Sequence, residues 1–65
     1  MMISLKNARL IKGYSQKYVA DYLGVSEDTY RKIEQNPDRA TIEQAKKLSE
    51  LLGFSYDNLF FGKAV

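Results

Sequence analysis

The chain is predicted to be all-α, and three features of its sequence predict it. Apolar residues recur at three- and four-residue intervals in five short segments, Ser or Thr stands at the start of each, and Gly, or Asn followed by Pro, closes four of them. No segment reads as a strand, an internal repeat or a low-complexity linker. With 65 residues, 45% of them hydrophobic, residues 1–65 form one domain, too small for a large core but patterned to fold unaided.

The first helix is expected from about Ser4 to Lys12, with Leu5 and Ala8 facing inward, joined by either Leu10 or Ile11, and with Gly13 as a left-handed C-cap. Ser15 caps the second helix, in which Val19 and Leu23 repeat at i, i+4, and Gly24 ends it. Ser26 is a good N-cap for a third helix over roughly Glu27 to Gln35, whose Tyr30 and Ile33 should point into the core with Val25 from the turn. Asn36 and Pro37 stop that helix, Asn because it tolerates the left-handed conformation and Pro because it cannot continue. Thr41-Ile-Glu-Gln44 has the form of a capping box, and Ile42, Ala45, Leu48, Leu51 and Leu52 make an apolar stripe up to Gly53. Ser55 can cap a short fifth helix running through Leu59 and Phe60.

Composition narrows the chemistry. With no Cys and no His, there is no disulfide, zinc finger, thiol nucleophile or imidazole base, and no metal or cofactor is implied. No nucleophile, base and orienting group are spaced for catalysis, and no glycine loop would cradle a phosphate, so an enzyme is not expected. Apolar runs are too short to span a membrane and the first residues lack a signal-peptide pattern, so the expected location is cytoplasmic. The net charge is +2, unevenly placed: residues 1–14 carry Lys6, Arg9 and Lys12 against no acid, whereas residues 15–35 hold three basic and four acidic residues. A basic first helix suits phosphates, although a solvated helix face explains three cations as well.

Residues 16–35 hold two short helical patterns hinged at Gly24, with Ala20 and Gly24 placed where two steeply crossed helices approach most closely and leave no room for larger side chains. This is a helix-turn-helix, the arrangement that lays its second helix in the major groove of DNA. The hinge alone describes any αα-hairpin in a small bundle equally well.

The full order of motifs decides further. Leu5-Lys-Asn-Ala-Arg9, Gly13-Tyr-Ser-Gln16, Val19-Ala-Asp-Tyr-Leu-Gly-Val-Ser26, Ile33-Glu34, Thr41-Ile-Glu43 and Leu52-Gly-Phe-Ser-Tyr-Asp-Asn-Leu-Phe60 occur in sequence with matching spacers. In that order the chain resembles, over nearly its whole length, the Cro/repressor-type (XRE-like) helix-turn-helix regulators. The resemblance implies a five-helix, lambda-repressor-like DNA-binding domain with helices 2 and 3 as the reading unit. It also implies an ion pair between Arg9 and Glu34 that ties helix 1 to the end of helix 3, a structural role and not a DNA contact.

Within that frame, double-stranded DNA is the expected partner. Gln16, at the N-terminus of helix 2 where free N–H groups and a partial positive charge suit an anion, should meet a backbone phosphate. Lys17, the N–H of Asn36 and Arg39 are further phosphate candidates. Ser26, Glu27, Asp28, Thr29, Arg31 and Lys32, along the N-terminal half of helix 3, are the candidates for the groove. Glu27 and Asp28 depart from the family pattern, which favours neutral or basic residues there. Either they accept from cytosine N4 or they only stabilise the helix N-terminus through its dipole. Arg31 could read guanine in bidentate fashion, or it and Lys32 could reach phosphates.

One such domain covers a short half-site, so a homodimer on an inverted repeat about 34 Å apart is expected. Phe54 and Leu59 are claimed by the core, which leaves Tyr56, Phe61 and Val65 as candidates for the partner surface. No small-molecule ligand is evident. The competing function is a protein-interaction module, antirepressor- or antitoxin-like, for which the acids of helix 3 argue.

Overall fold

The computed structural model describes residues 3–61, with side chains through Leu59. Its elements are α1 (Leu5–Lys12), α2 (Gln16–Leu23), α3 (Glu27–Gln35), a single 3-10 turn (Pro37–Arg39), α4 (Ile42–Leu52) and a short α5 (Asp57–Phe61) wound with the wider π pattern. The described residues contain no strand. No helix among them is long and apolar enough to cross a membrane.

Each helix starts on the side chain the sequence supplies. The hydroxyls of Ser4, Ser15, Ser26 and Thr41 each accept from the backbone N–H three residues on, satisfying one donor that the first turn leaves unpaired. At Thr41 the box is complete, because the Gln44 side chain accepts in return from the Thr41 N–H at 3.0 Å. Ser55 caps the turn into α5 through the Asn58 N–H at 3.2 Å.

The helices close around one core. Leu5 and Ala8 of α1, Val19, Ala20 and Leu23 of α2, Tyr30 and Ile33 of α3, and Leu48 and Leu52 of α4 are buried together, and Leu59 completes the cluster. α2 packs on α3, and α4 lies across α1 and α2. The Ile3 N–H donates to the Asn58 carbonyl at 3.3 Å, which ties the segment before α1 to α5. Ser49 Oγ donates to the Phe54 carbonyl at 2.7 Å and fixes the connection leaving α4.

Four expectations are corrected. Neither Leu10 nor Ile11 turns inward: they are 54% and 66% exposed, and the third inward place on α1 belongs to Arg9. The cause is periodicity, since Leu5, Ala8 and Arg9 share one stripe and residues 10 and 11 fall on the opposite side. Ile42 is likewise 70% exposed, because the first residue of α4 precedes the point where the helix meets its neighbours.

Asn36 is extended (φ −141°, ψ 90°), not left-handed, and its side-chain oxygen accepts from the Asp38 N–H to start the 3-10 turn that the sequence reading did not foresee. A residue before proline is pushed into this extended region by the ring, which overrides asparagine's tolerance of the left-handed one. Gly24 is not crowded, since a Cβ there would meet nothing within 4 Å; its φ of +76° is what requires glycine. Lys12 is exposed, as a solvated helix face requires. The end of its side chain lies 3.2 Å from where a Cβ on Gly53 would stand, at the C-terminus of α4, where a cation is favoured.

Candidate nucleic-acid interface

The hinge sets the geometry of the site. Gly24 ends α2 in the left-handed conformation, the Val25 N–H donates to the Ala20 carbonyl at 3.0 Å, and Ser26 starts α3 two residues later. Tyr30 and Ile33, with 0% and 3% exposure, anchor α3 by one stripe. Residues Asp28, Arg31, Lys32 and Gln35 are thereby turned outward, and all four are exposed.

A second anchor holds the far end of α3. Arg9 Nε donates to Glu34 Oε2 at 3.0 Å and Nη2 to Oε1 at 3.1 Å, while Nη1 donates to the Tyr14 carbonyl at 2.8 Å. Both side chains are over 90% buried, at 9% and 6% exposure, so the fork works away from solvent screening. Burial pushes the Glu34 carboxyl up, but the hydrogen bonds from Arg9, with Tyr30 and Gln16 close by, outweigh it and hold the carboxyl below its ordinary value. The Glu34 carboxylate in turn raises the Arg9 guanidinium against a smaller desolvation effect. The Tyr30 hydroxyl is buried beside this pair with no partner in good hydrogen-bond geometry. Burial, and then Glu34, push its phenol well above the ordinary value.

The outward face of α3 is electrically neutral. Arg31 Nη1 lies 3.3 Å from Asp28 Oδ1, Arg31 Nη2 lies 3.5 Å from Glu27 Oε2, and Lys32 Nζ lies 3.6 Å from Asp28 Oδ2. Ser26 Oγ is occupied twice, accepting from the Thr29 N–H and donating to Thr29 Oγ1 at 2.9 Å. Thr29 keeps its own hydroxyl proton for an outside acceptor.

Beside α3, a shallow groove joins three helices and is lined by Lys6, Gln16, Arg31, Glu34 and Gln35. At its edge the first N–H groups of α2, those of Gln16 and Lys17, have no intrahelical acceptor. Lys17 is exposed and paired with Asp21 at 3.5 Å. Arg39 is exposed on the 3-10 turn. The Asn36 N–H, by contrast, donates to the Lys32 carbonyl at 3.0 Å, so only the side-chain amide of Asn36 is left for an external acceptor. Tyr56 is half-buried, whereas Val65 and the side chain of Phe61 lie outside the described residues.

Gln35 is not among the candidates the sequence offers and Lys6 figures only as one of three cations of the first helix, yet both share the groove with Gln16 and Arg31. Helical spacing carries the signal for both, since Lys6 stands one turn before Arg9 and Gln35 one turn after Arg31.

These features define a class: an all-α, lambda-repressor-like helix-turn-helix domain whose second motif helix is anchored from behind and presented outward. The profile described as helix-turn-helix matches residues 5–59, and the chain belongs to that family, one of DNA-binding regulators and not of enzymes. It is also 41% identical over 58 residues to YonR of Bacillus subtilis (strain 168), described as an uncharacterized HTH-type transcriptional regulator derived from the SPbeta prophage. That match takes in 89% of the chain but 54% of YonR, so the chain spans about half the length of this relative. No solved structure matches.

Proposed function

We propose that the protein is a sequence-specific transcriptional repressor that binds an inverted-repeat operator as a homodimer, each copy placing α3 in the major groove. The observation that carries this reading is the presentation of α3: a fully buried Tyr30, a buried Ile33 and the Arg9–Glu34 fork fix the helix, and its polar face is left uncovered. In this reading Arg31 reads a base edge, with Ser26, Glu27, Asp28, Thr29 and Lys32 around it. Gln16 and the free N–H groups of α2 receive a phosphate, and Lys6, Lys17, Gln35, Arg39 and the Asn36 side chain contact the flanking backbone.

The molecule's extents of 31 × 22 × 18 Å allow two copies to sit side by side at the spacing of about 34 Å that one DNA turn imposes. Tyr56, Phe61 and Val65 are the proposed contacts between copies. The relative's description as a prophage-derived transcriptional regulator favours control of a mobile element's genes, and in this reading the protein acts in the cytoplasm, where the DNA is.

The test is selection from random-sequence duplexes with the purified chain, at low and high salt, beside Arg31→Ala. An inverted repeat that disappears with Arg31→Ala is the expected result. The neutral face of α3 favours one other reading, a protein-interaction module. Binding to DNA that is undetectable even at low salt would decide for it, because a phosphate-contacting protein must release counterions.

A further inference from the structure

Every charge in the helix-turn-helix is matched inside the protein. Of its three cations, Lys17 pairs with Asp21 at 3.5 Å, Arg31 with Asp28 at 3.3 Å and Glu27 at 3.5 Å, and Lys32 with Asp28 at 3.6 Å. The fourth acid of residues 16–35, Glu34, is held by Arg9 at 3.0 Å. Dipole stabilisation alone accounts for acids in the first turn of α3, but not for both outward cations of that helix lying against them.

We propose that Glu27 and Asp28 are specificity-determining residues that act through Arg31 and Lys32, lowering the protein's affinity for DNA of arbitrary sequence more than for its operator. The proposal rests on the DNA-reading function above. Non-specific binding to DNA is essentially the attraction of cations for phosphates, and it is independent of sequence. On an arbitrary duplex, Arg31 and Lys32 arrive already neutralised, and two carboxylates are brought towards a polyanion. That combination removes the share of α3 in the attraction that would hold the protein anywhere on the duplex.

At the operator the balance differs. The pairs are exposed, at 45% for Arg31 and 59% for Lys32, so they are weak and exchange readily for a better acceptor. The O6 and N7 atoms of guanine offer Arg31 a bidentate partner that carries no net charge for Glu27 and Asp28 to repel, whereas a phosphate, also a bidentate partner, is an anion that both carboxylates oppose. Until that exchange the two carboxylates hold the guanidinium over the outward face of α3 from two sides, 3.3 and 3.5 Å away. Asp28 and Glu27 thus cost little where base edges fit and a good deal where they do not.

Binding of the native chain and of Glu27→Gln/Asp28→Asn is measured by fluorescence anisotropy across a salt series. The probes are the duplex enriched in the selection and a scrambled duplex of about 20 base pairs. The double variant should bind the scrambled duplex roughly ten-fold more tightly, with a log-log salt slope steeper by about one to two, as freed cations reach phosphates. Its affinity for the enriched duplex should change by less than about three-fold, so the specificity ratio falls.

Glu43→Gln removes one negative charge, as each of the single variants Glu27→Gln and Asp28→Asn does, from the exposed Glu43–Lys47 pair of α4, and compared with those single variants it should leave the ratio unchanged. Equal tightening on both duplexes, an unchanged slope, or an equal effect of Glu43→Gln would overturn the proposal in favour of net charge alone. The single variants Glu27→Gln and Asp28→Asn carry the same test, each with half the effect, if circular dichroism shows the double variant unfolded. A native chain and variant that both ignore every duplex at low salt remove the DNA-reading function itself, an outcome separate from a failed ratio.

Discussion

Arg9 is a charged residue in a place that α1 reserves for apolar side chains, and the reason lies in its three directed donors. Two go to Glu34 and one to the Tyr14 carbonyl, so the guanidinium joins α1, the α1–α2 turn and the end of α3. Removing one member of so buried a pair strands the other, at a cost of about 3 kcal/mol. Arg9→Met should therefore lose about that much in chemical denaturation, and Arg9→Met/Glu34→Leu should recover most of it; a double variant no better than the single would refute this.

The pair also sets pH dependence. Glu34 is held below its ordinary value of 4.5 in the folded protein, so the unfolded chain binds its proton more readily. Its contribution is present above that ordinary value and is lost as pH falls through the lower folded value. Melting temperature should drop on this acid limb in the native chain and drop less in Glu34→Gln. Tyr30 behaves in the opposite sense: its phenol is raised above 10.0, so its contribution is present below that pH and lost as pH rises beyond it. Tyr30→Phe, which removes an unpartnered buried hydroxyl, should keep or gain stability at neutral pH and lose less of it above pH 10.0.

At the scale of the element, caps rather than length make these helices. α1 and α2 have 8 residues each, below what persists alone in water, and both are bounded by a Ser N-cap and a left-handed Gly. Gly24→Ala places a side chain in open space at φ +76°, so its cost should be that of the backbone alone, about 1 kcal/mol. Thr41→Ala removes one hydrogen bond of the capping box and should cost about as much, read as a shift in denaturation midpoint with unchanged slope. The α3–α4 connection shows what local rules miss. Asn and Pro are both stop signals and α3 does end at them, but their adjacency forces Asn36 to extend, and its side chain then caps a new turn directly after the helix it closes.

For the whole molecule, the proposed homodimer on an inverted repeat makes the half-site spacing a geometric commitment. Inserting about five base pairs between the half-sites turns them to opposite faces of the duplex, so two copies that touch through their C-terminal ends could no longer bind both. Affinity in a mobility-shift titration should then fall towards that of a single half-site, whereas an insertion of about ten base pairs restores the shared face. Copies that bind independently would be indifferent to either change.

Much of this protein is legible in its sequence. The five helices, their caps, the hinge and the inward Tyr30 and Ile33 follow from residues acting within a few positions of themselves, as hydrogen bonds to the next turn and as a repeat matched to the helix. Where a residue's role depends on a distant segment, local pattern was silent or misleading, and the Arg9–Glu34 pair was expected through the family resemblance alone. Leu10, Ile11 and Ile42 are apolar and face outward because no neighbouring helix comes to cover them, and Lys12 bends to the end of α4 because that end is close only in the folded chain. The groove of Lys6, Gln16, Arg31, Glu34 and Gln35 draws on three helices, so its membership was decided by packing. Local propensity and periodicity thus determined the elements and the type of fold. The tertiary structure alone decided which side chains meet in the groove and which apolar residues are left uncovered, because both depend on distances across the fold that sequence separation does not encode, whereas every described ion pair but Arg9–Glu34 joins residues three or four apart in one helix.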